Sequence, residues 1–234
     1  MKTRLDYLIV SDASVKYHKQ NGLHDYAAYA TYILNLHDKT YVGEADELID
    51  RTIQYAEAYA VYRGIKLLST LTNPDARIIV VSDNNNVISA LGKWTRDGTW
   101  NLQDRDYWRK NDGSPVANQD VYRHAMDAEK YFNTPIRYVH IHSHLSSSVT
   151  SHKKICREFA EYGVNIDTST ASVLLRLNAM ADFMATTLTR NAFEYERKHG
   201  LFMELNRVHN DKVYEHENAP MVASRSLEHI IYTK

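Results

Sequence analysis

Residues 77–81, RIIVV, narrow the fold most: an apolar, mostly β-branched run bounded by N-P-D at 73–75 and by Ser82-Asp83. With no polar alternation, such a run reads as a parallel strand buried on both faces, so helices must cover the sheet on each side. The stretch before it supplies one of them. From Thr52 to Thr70, the residues Ile53, Glu57, Ala60, Gly64 and Leu67 recur at spacings of three and four and share one stripe. The small residues Ala56, Ala60 and Gly64 let that helix approach a sheet closely. Glu57 therefore sits on a packing face, where carboxylates are rare.

Upstream, LDYLIVSD at 5–12 has the composition of a central strand and ends in Asp12. A polar stretch containing N-G at 21–22 leads to a second strand, AAYATYILNL at 27–36. H-D-K at 37–39 is a tight connection to a third, TYVGEA at 40–45, completing an antiparallel meander. Downstream, Asp83 closes the apolar run, and Asn84, Asn85 and Asn86 offer N-caps for a short helix from about Val87 to Trp94. A polar, Trp-bearing segment at 95–118 precedes a helix near 119–132 and a strand, IRYVHIHSH, at 136–144. Two more helices follow at 152–163 and 172–190, the second with Asn178 and Asp182 one turn apart. The order predicts an α/β protein, a mixed five-stranded sheet flanked by helices.

Charge excludes a globally basic protein, since 28 Lys and Arg oppose 29 Asp and Glu, so any nucleic-acid contact surface must be local. The lone Cys156 excludes an intramolecular disulfide framework and fits a reducing compartment. The apolar run Tyr7 to Val10 is too short for a signal peptide, and no stretch is long enough to span a membrane. The expectation is a cytoplasmic, monomeric protein without a membrane partner.

Several local patterns, in order along the chain, resemble type 1 ribonuclease H. Asp12-Ala13-Ser14 is similar to the D-G-S that ends that family's first strand. Thr52-Ile53-Gln54-Tyr55-Ala56-Glu57 is similar to its T-N-N-x-A-E helix start, and Ser82-Asp83-Asn84-Asn85-Asn86-Val87 to its T-D-S-x-Y-V. The most specific segment is Trp108-Arg109-Lys110-Asn111-Asp112-Gly113-Ser114-Pro115-Val116-Ala117-Asn118, similar to W-K-N-x-x-G-x-P-V-x-N. Ile141-His142-Ser143-His144 resembles V-K-G-H, and Asn178 to Asp182 resembles N-x-x-x-D.

The resemblance implies strand order 3-2-1-4-5, with a ribonuclease H-like domain over 1–190, a helical insertion at about 145–172 and a C-terminal extension over 191–234. It implies Asp12, Glu57, Asp83 and Asp182 as ligands of two Mg2+ ions, with Mn2+ able to substitute, and His144 as a mobile catalytic histidine. Its substrate would be the RNA strand of an RNA–DNA hybrid, with contacts from Ser14, Asn84, Trp108, Arg109, Lys110 and Asn178. Such carboxylates raise one another's pKa when brought together without metal, so the cluster is costly as mere structure.

The chain also departs from that pattern. Ile53 and Gln54 replace the paired asparagines before the helix glutamate, and the insertion carries Lys153, Lys154 and Arg157, as a lid or a partner surface would. His140 and His142, two apart on a strand, share a face and could bind a transition metal together. Two alternatives stay open: another nuclease of the same fold, such as an exonuclease or junction resolvase, and a non-catalytic nucleic-acid-binding domain.

Overall fold

The computed structural model describes residues 5–17, 24–102, 108–142 and 148–199, with side chains through 196. The meander consists of β1 (Tyr7–Lys16), β2 (Tyr26–Asn35) and β3 (Tyr41–Ile49). Then come α1 (Ile53–Leu71), β4 (Ile78–Ser82) and α2 (Asn85–Ser89), which runs into a π-helical turn at Ala90–Trp94. A small ribbon of β5 (Trp100–Asn101) and β6 (Arg109–Lys110) precedes α3 (Gln119–Glu129) and β7 (Arg137–His140). Two helices, α4 (Val149–Glu161) and α5 (Thr168–His199), complete the described chain. The main sheet has the order β3-β2-β1-β4-β7, antiparallel within the meander and parallel from β1 through β4 to β7.

Alternation along the central strands divides the core in two. Ile9, Ile78, Val80 and Tyr138 face α1 and α3, while Leu8, Val10, Ile79, Val81 and Val139 face α4 and α5. RIIVV is thus covered on both sides, as its lack of polar alternation requires. The helix α1 starts where Thr52 accepts a hydrogen bond from the Tyr55 N–H at 3.2 Å.

Its Gly64 lies so close to the sheet that a Cβ would stand 2.4 Å from Ile9 Cγ2 and 2.5 Å from Thr31 Oγ1. Both neighbours are buried β-branched residues on central strands and have nowhere to go. Gly64→Ala is therefore expected to destabilise the protein by about 1–3 kcal/mol through overpacking, despite alanine's better helix propensity. A urea melt with an undiminished midpoint would show that α1 can lift from the sheet.

Some boundaries differ from the pattern-based expectation. The third strand runs four residues beyond 45, to Ile49; β3 is an edge strand, so Asp46 and Glu47 can join the ladder without both faces being buried. The helix expected at 87–94 is a short α-helix followed by a π-turn. The fifth strand of the main sheet ends at His140, short of 144. The last helix begins at Thr168 and continues past 190 to His199 without a break.

The α4 helix, within the expected insertion, is part of the core. It buries Ile155 and Phe159 completely, beside Leu174 and Leu177 of α5. Among the described residues no helix is long and apolar enough to cross a membrane.

Candidate active site

A notch in the sheet creates the site. The β1–β4 ladder joins Tyr7–Val10 to Ile78–Val81, and β1 continues beyond it through Ser11 to Lys16. From Ser11 onward β1 has no β4 neighbour, and open α/β sheets gather ligands at such carboxyl-terminal edges. Asp12 projects at this point, Asp83 follows the last residue of β4, and α1 brings Glu57 down onto the same spot.

The carboxylates of Asp12, Glu57 and Asp83 each offer an oxygen within 4.8 Å of the others. Asp12 and Glu57 are buried, at 6% and 5% exposure, and Asp83 is half-buried. Burial is the main reason the Asp12 carboxyl is pushed up from 3.8 to about 7, with the negative charges of Asp83 and then Asp182 adding to it and the Ala13 N–H bond opposing it. That bond to Asp12 Oδ1 is 2.7 Å long. Glu57 is raised well above the usual carboxylate range by burial first, then by Asp12 and Asp83. One Glu57 oxygen, Oε2, is buried without a hydrogen-bond partner.

A buried carboxylate oxygen with no donor, in a cluster of negative charge, is costly unless a proton or a cation meets it. Hard divalent cations prefer this all-oxygen donor set. The triad therefore has the chemistry to hold a metal ion.

Asp182 stands at the rim. It is exposed and not one of the three mutually close carboxylates, yet its charge reaches Asp12. Its approach depends on small residues: Ala181 and Ala185 of α5 pack on Ala30 of β2, the register partner of Asp12, so the helix lies close to the strand. Asn178, one turn earlier, is 8% exposed, and its Oδ1 is buried with no hydrogen-bond partner. Ser14 is half-buried two residues beyond Asp12, and its carbonyl accepts from Thr189 Oγ1 at 3.4 Å. His144 lies outside the described residues.

Asn84 is occupied locally. Its Oδ1 caps α2 by accepting from the Asn86 and Val87 N–H groups at 3.1 and 3.3 Å, while its Nδ2 donates to Gln54 Oε1 at 3.4 Å. It also lends a hydrogen bond to Glu57, holding that carboxylate's pKa down somewhat. Trp108 is turned inward, 6% exposed, with its ring 6.3 Å from that of Trp100 and the Arg123 guanidinium 5.1 Å above it. Beside it Arg109 and Lys110 are exposed on the β5–β6 ribbon, the first donating to the Gly113 carbonyl at 2.9 Å. The aromatics of this segment thus anchor it, and the adjacent cations face solvent.

Two supports were not legible as such. His140 Nε2 lies 3.0 Å from the Asp83 carbonyl oxygen and can donate to it, fixing the backbone behind the carboxylate. The only sequence signal is its register opposite Ser82, which requires knowing the parallel pairing. Gln54, one turn before Glu57, could have been found from helical spacing. The His140 and His142 rings are 5.7 Å apart, but His142 pairs with Glu158 of α4 at 2.7 Å. Among the described residues, the acidic triad is the one group of three or more side chains placed to share a metal.

No protein-family model matches the chain. A 78-residue segment, 33% of the chain, is 31% identical to a protein named Ribonuclease H from Tropheryma whipplei (strain Twist), and the same holds for strain TW08/27. The match spans 45% of the length of those curated relatives. The native protease-reverse transcriptase of prototype foamy virus superposes with a TM-score of 0.51 at 16% identity, over 79% of this chain and 21% of that one. The PFV RNase H domain, a solution structure, superposes with a TM-score of 0.50 at 17% identity, over 80% of this chain and 96% of the domain. The fold is ribonuclease H-like. Sheet order and placement of helices on both faces agree with the expected architecture, and in this ribonuclease H-like chain the acidic triad sits at the carboxyl-terminal notch of the sheet.

Proposed function

We propose that the protein is a ribonuclease H that hydrolyses the RNA strand of RNA–DNA hybrids, leaving 5′-phosphate and 3′-hydroxyl ends. The observation that carries this reading is the convergence of Asp12, Glu57 and Asp83 within 4.8 Å, with a buried glutamate oxygen lacking any donor. The name of the curated relatives and the fold shared with the PFV RNase H domain support it.

Asp12, Glu57, Asp83 and Asp182 are the residues that would hold two Mg2+ ions, or Mn2+ in their place. When bound, such ions activate the attacking water and relieve charge on the departing 3′ oxygen. The chain's own groups do the remaining work. Glu57 and Asp12 are held rigidly by α1 and β1, so they need not reorganise as charge develops. Ser14 and Asn178 flank Asp12 and Asp182 and offer polar contacts to the sugar–phosphate backbone. Asn84, through Glu57 and Gln54, orients the site, and Arg109 and Lys110 present positive charge to the duplex. His144, by its place after β7, moves a proton at the leaving group or assists product departure.

The test compares wild type and Asp12→Asn with Mg2+ on three substrates: an RNA–DNA hybrid, duplex DNA and single-stranded RNA. Cleavage of the hybrid alone, lost in the variant, is the expected outcome. Equal cutting of duplex DNA would instead make this a different nuclease of the fold. Inertness on all three in wild type would leave a non-catalytic nucleic-acid-binding domain.

A further inference from the structure

A groove of about 540 Å3 runs along the outer edge of the sheet, between β7 on one side and α2 with its π-turn on the other. Its lining includes three cations, Lys93, Arg96 and Arg137, and no carboxylate, in a chain whose net charge is −1. Lys93 and Arg137 are exposed. The Arg96 guanidinium is fixed in place, bonded to Glu129 at 2.6 Å and lying 5.6 Å from the centre of the Tyr138 ring. That bond offsets part of its charge, so Lys93 and Arg137 carry most of the attraction. At the far wall Tyr162, 43% exposed, presents an unfilled aromatic surface at the end of α4.

The position of the groove matters as much as its charge. Its lining includes Asn85, the first residue of α2 and two residues beyond Asp83 in the chain, so one wall of the groove starts within two residues of an acidic-site carboxylate. From Asn85 to Lys93 the helical path rises about 12 Å, room for three to four nucleotides at the ~3.4 Å spacing of a stacked strand. Spaced cations beside an exposed aromatic are the means by which proteins hold single strands without reading sequence.

We propose that this groove holds a single nucleic-acid strand extending from the acidic site, its phosphates on Lys93, Arg96 and Arg137 and a base stacked on Tyr162. The inference rests on the ribonuclease reading above for the identity of the polymer. It gives the protein a preference for hybrids with an unpaired extension over blunt ones.

The experiment uses the full chain in EDTA, so that binding is measured without cleavage, with a fluorescein-labelled 12-nucleotide single-stranded DNA as probe. For the double variant Lys93→Ala, Arg137→Ala, affinity should fall roughly 10-fold and the slope of log affinity against log salt should shrink by about 1.4, the release of two counterions. Tyr162→Ala should weaken binding by about 5-fold or more with the salt slope unchanged. All three side chains are exposed, so melting temperatures should stay at the wild-type value, separating lost contacts from lost folding. A wild-type protein that does not bind the probe, or variants with wild-type affinity and slope, would overturn the proposal. So would a poly-glutamate peptide that competes as well as the oligonucleotide while Tyr162→Ala has no effect, since the groove would then be a docking site for acidic peptides. Failure of the ribonuclease reading shows separately, as absent Mg2+-dependent hybrid cleavage in a protein that still binds the probe.

Discussion

Asp12→Asn is expected to stabilise the metal-free protein at pH 8 while abolishing its hydrolytic activity. Burial and the neighbouring carboxylates raise Asp12 from 3.8 to about 7 in the folded chain. Between those two values the folded protein keeps a proton that the unfolded chain has lost, so stability falls as pH rises from about 4 to about 7. Glu57 is raised as well and acts in the same direction. Asparagine carries no charge and removes the Asp12 part of that slope, a gain on the order of 2–4 kcal/mol at pH 8 that vanishes near pH 4.

Divalent metal should reverse the comparison. A cation bound only by the folded state stabilises it by mass action, so Mg2+ should raise the urea midpoint of wild type at pH 8 and leave that of Asp12→Asn nearly unchanged. Activity should fall by well over 100-fold, since removing even an outer partner of a metal ligand commonly costs about 10–100-fold. Urea melts of both proteins at pH 5 and pH 8, each in EDTA and in Mg2+, check all of this. Parallel pH profiles for the two proteins would mean that Asp12 does not carry the buried charge assigned to it.

Phe159→Ala is expected to cost about 3–5 kcal/mol, the range for a fully buried aromatic whose loss leaves a cavity. Phe159 and Ile155 are the inward side chains of α4 and are completely buried against α5 and the sheet. This helix lies in the segment where a lid over the active site was one expectation. A lid would show the opposite pattern, little change in the melt and a large change in KM. A loss below about 1 kcal/mol would mean that α4 detaches readily from the core, and the assignment of that helix to the fold would fail.

Much of the fold is legible in local pattern. The stripe of Ala56, Ala60 and Gly64 and the unbroken apolar run at 77–81 each predict what is found, because each reports a short-range constraint: a close helix–sheet approach, a strand buried on both faces. Boundaries were less legible where context decides. Asp46 and Glu47 look like the end of a strand, but on an edge they extend it to Ile49, at the price of a Glu47 carboxyl that burial raises to about 7. By pattern Trp108 is a substrate contact beside Arg109 and Lys110; only its burial, with Trp100 beside the ring and the Arg123 guanidinium over it, shows the indole facing inward.

The sequence by itself determined which carboxylates were available and on which kind of element each would ride: Asp12 on a strand, Asp83 after one, Glu57 and Asp182 on helices. Those are consequences of periodicity and of local chain geometry, which span only a few residues. Tertiary structure alone decided that three of them meet within 4.8 Å while Asp182 waits exposed at the rim, and that His140 braces the Asp83 backbone. Those outcomes depend on where β4 stops along β1 and how closely the alanines of α5 approach β2, distances set by packing between segments far apart in the chain.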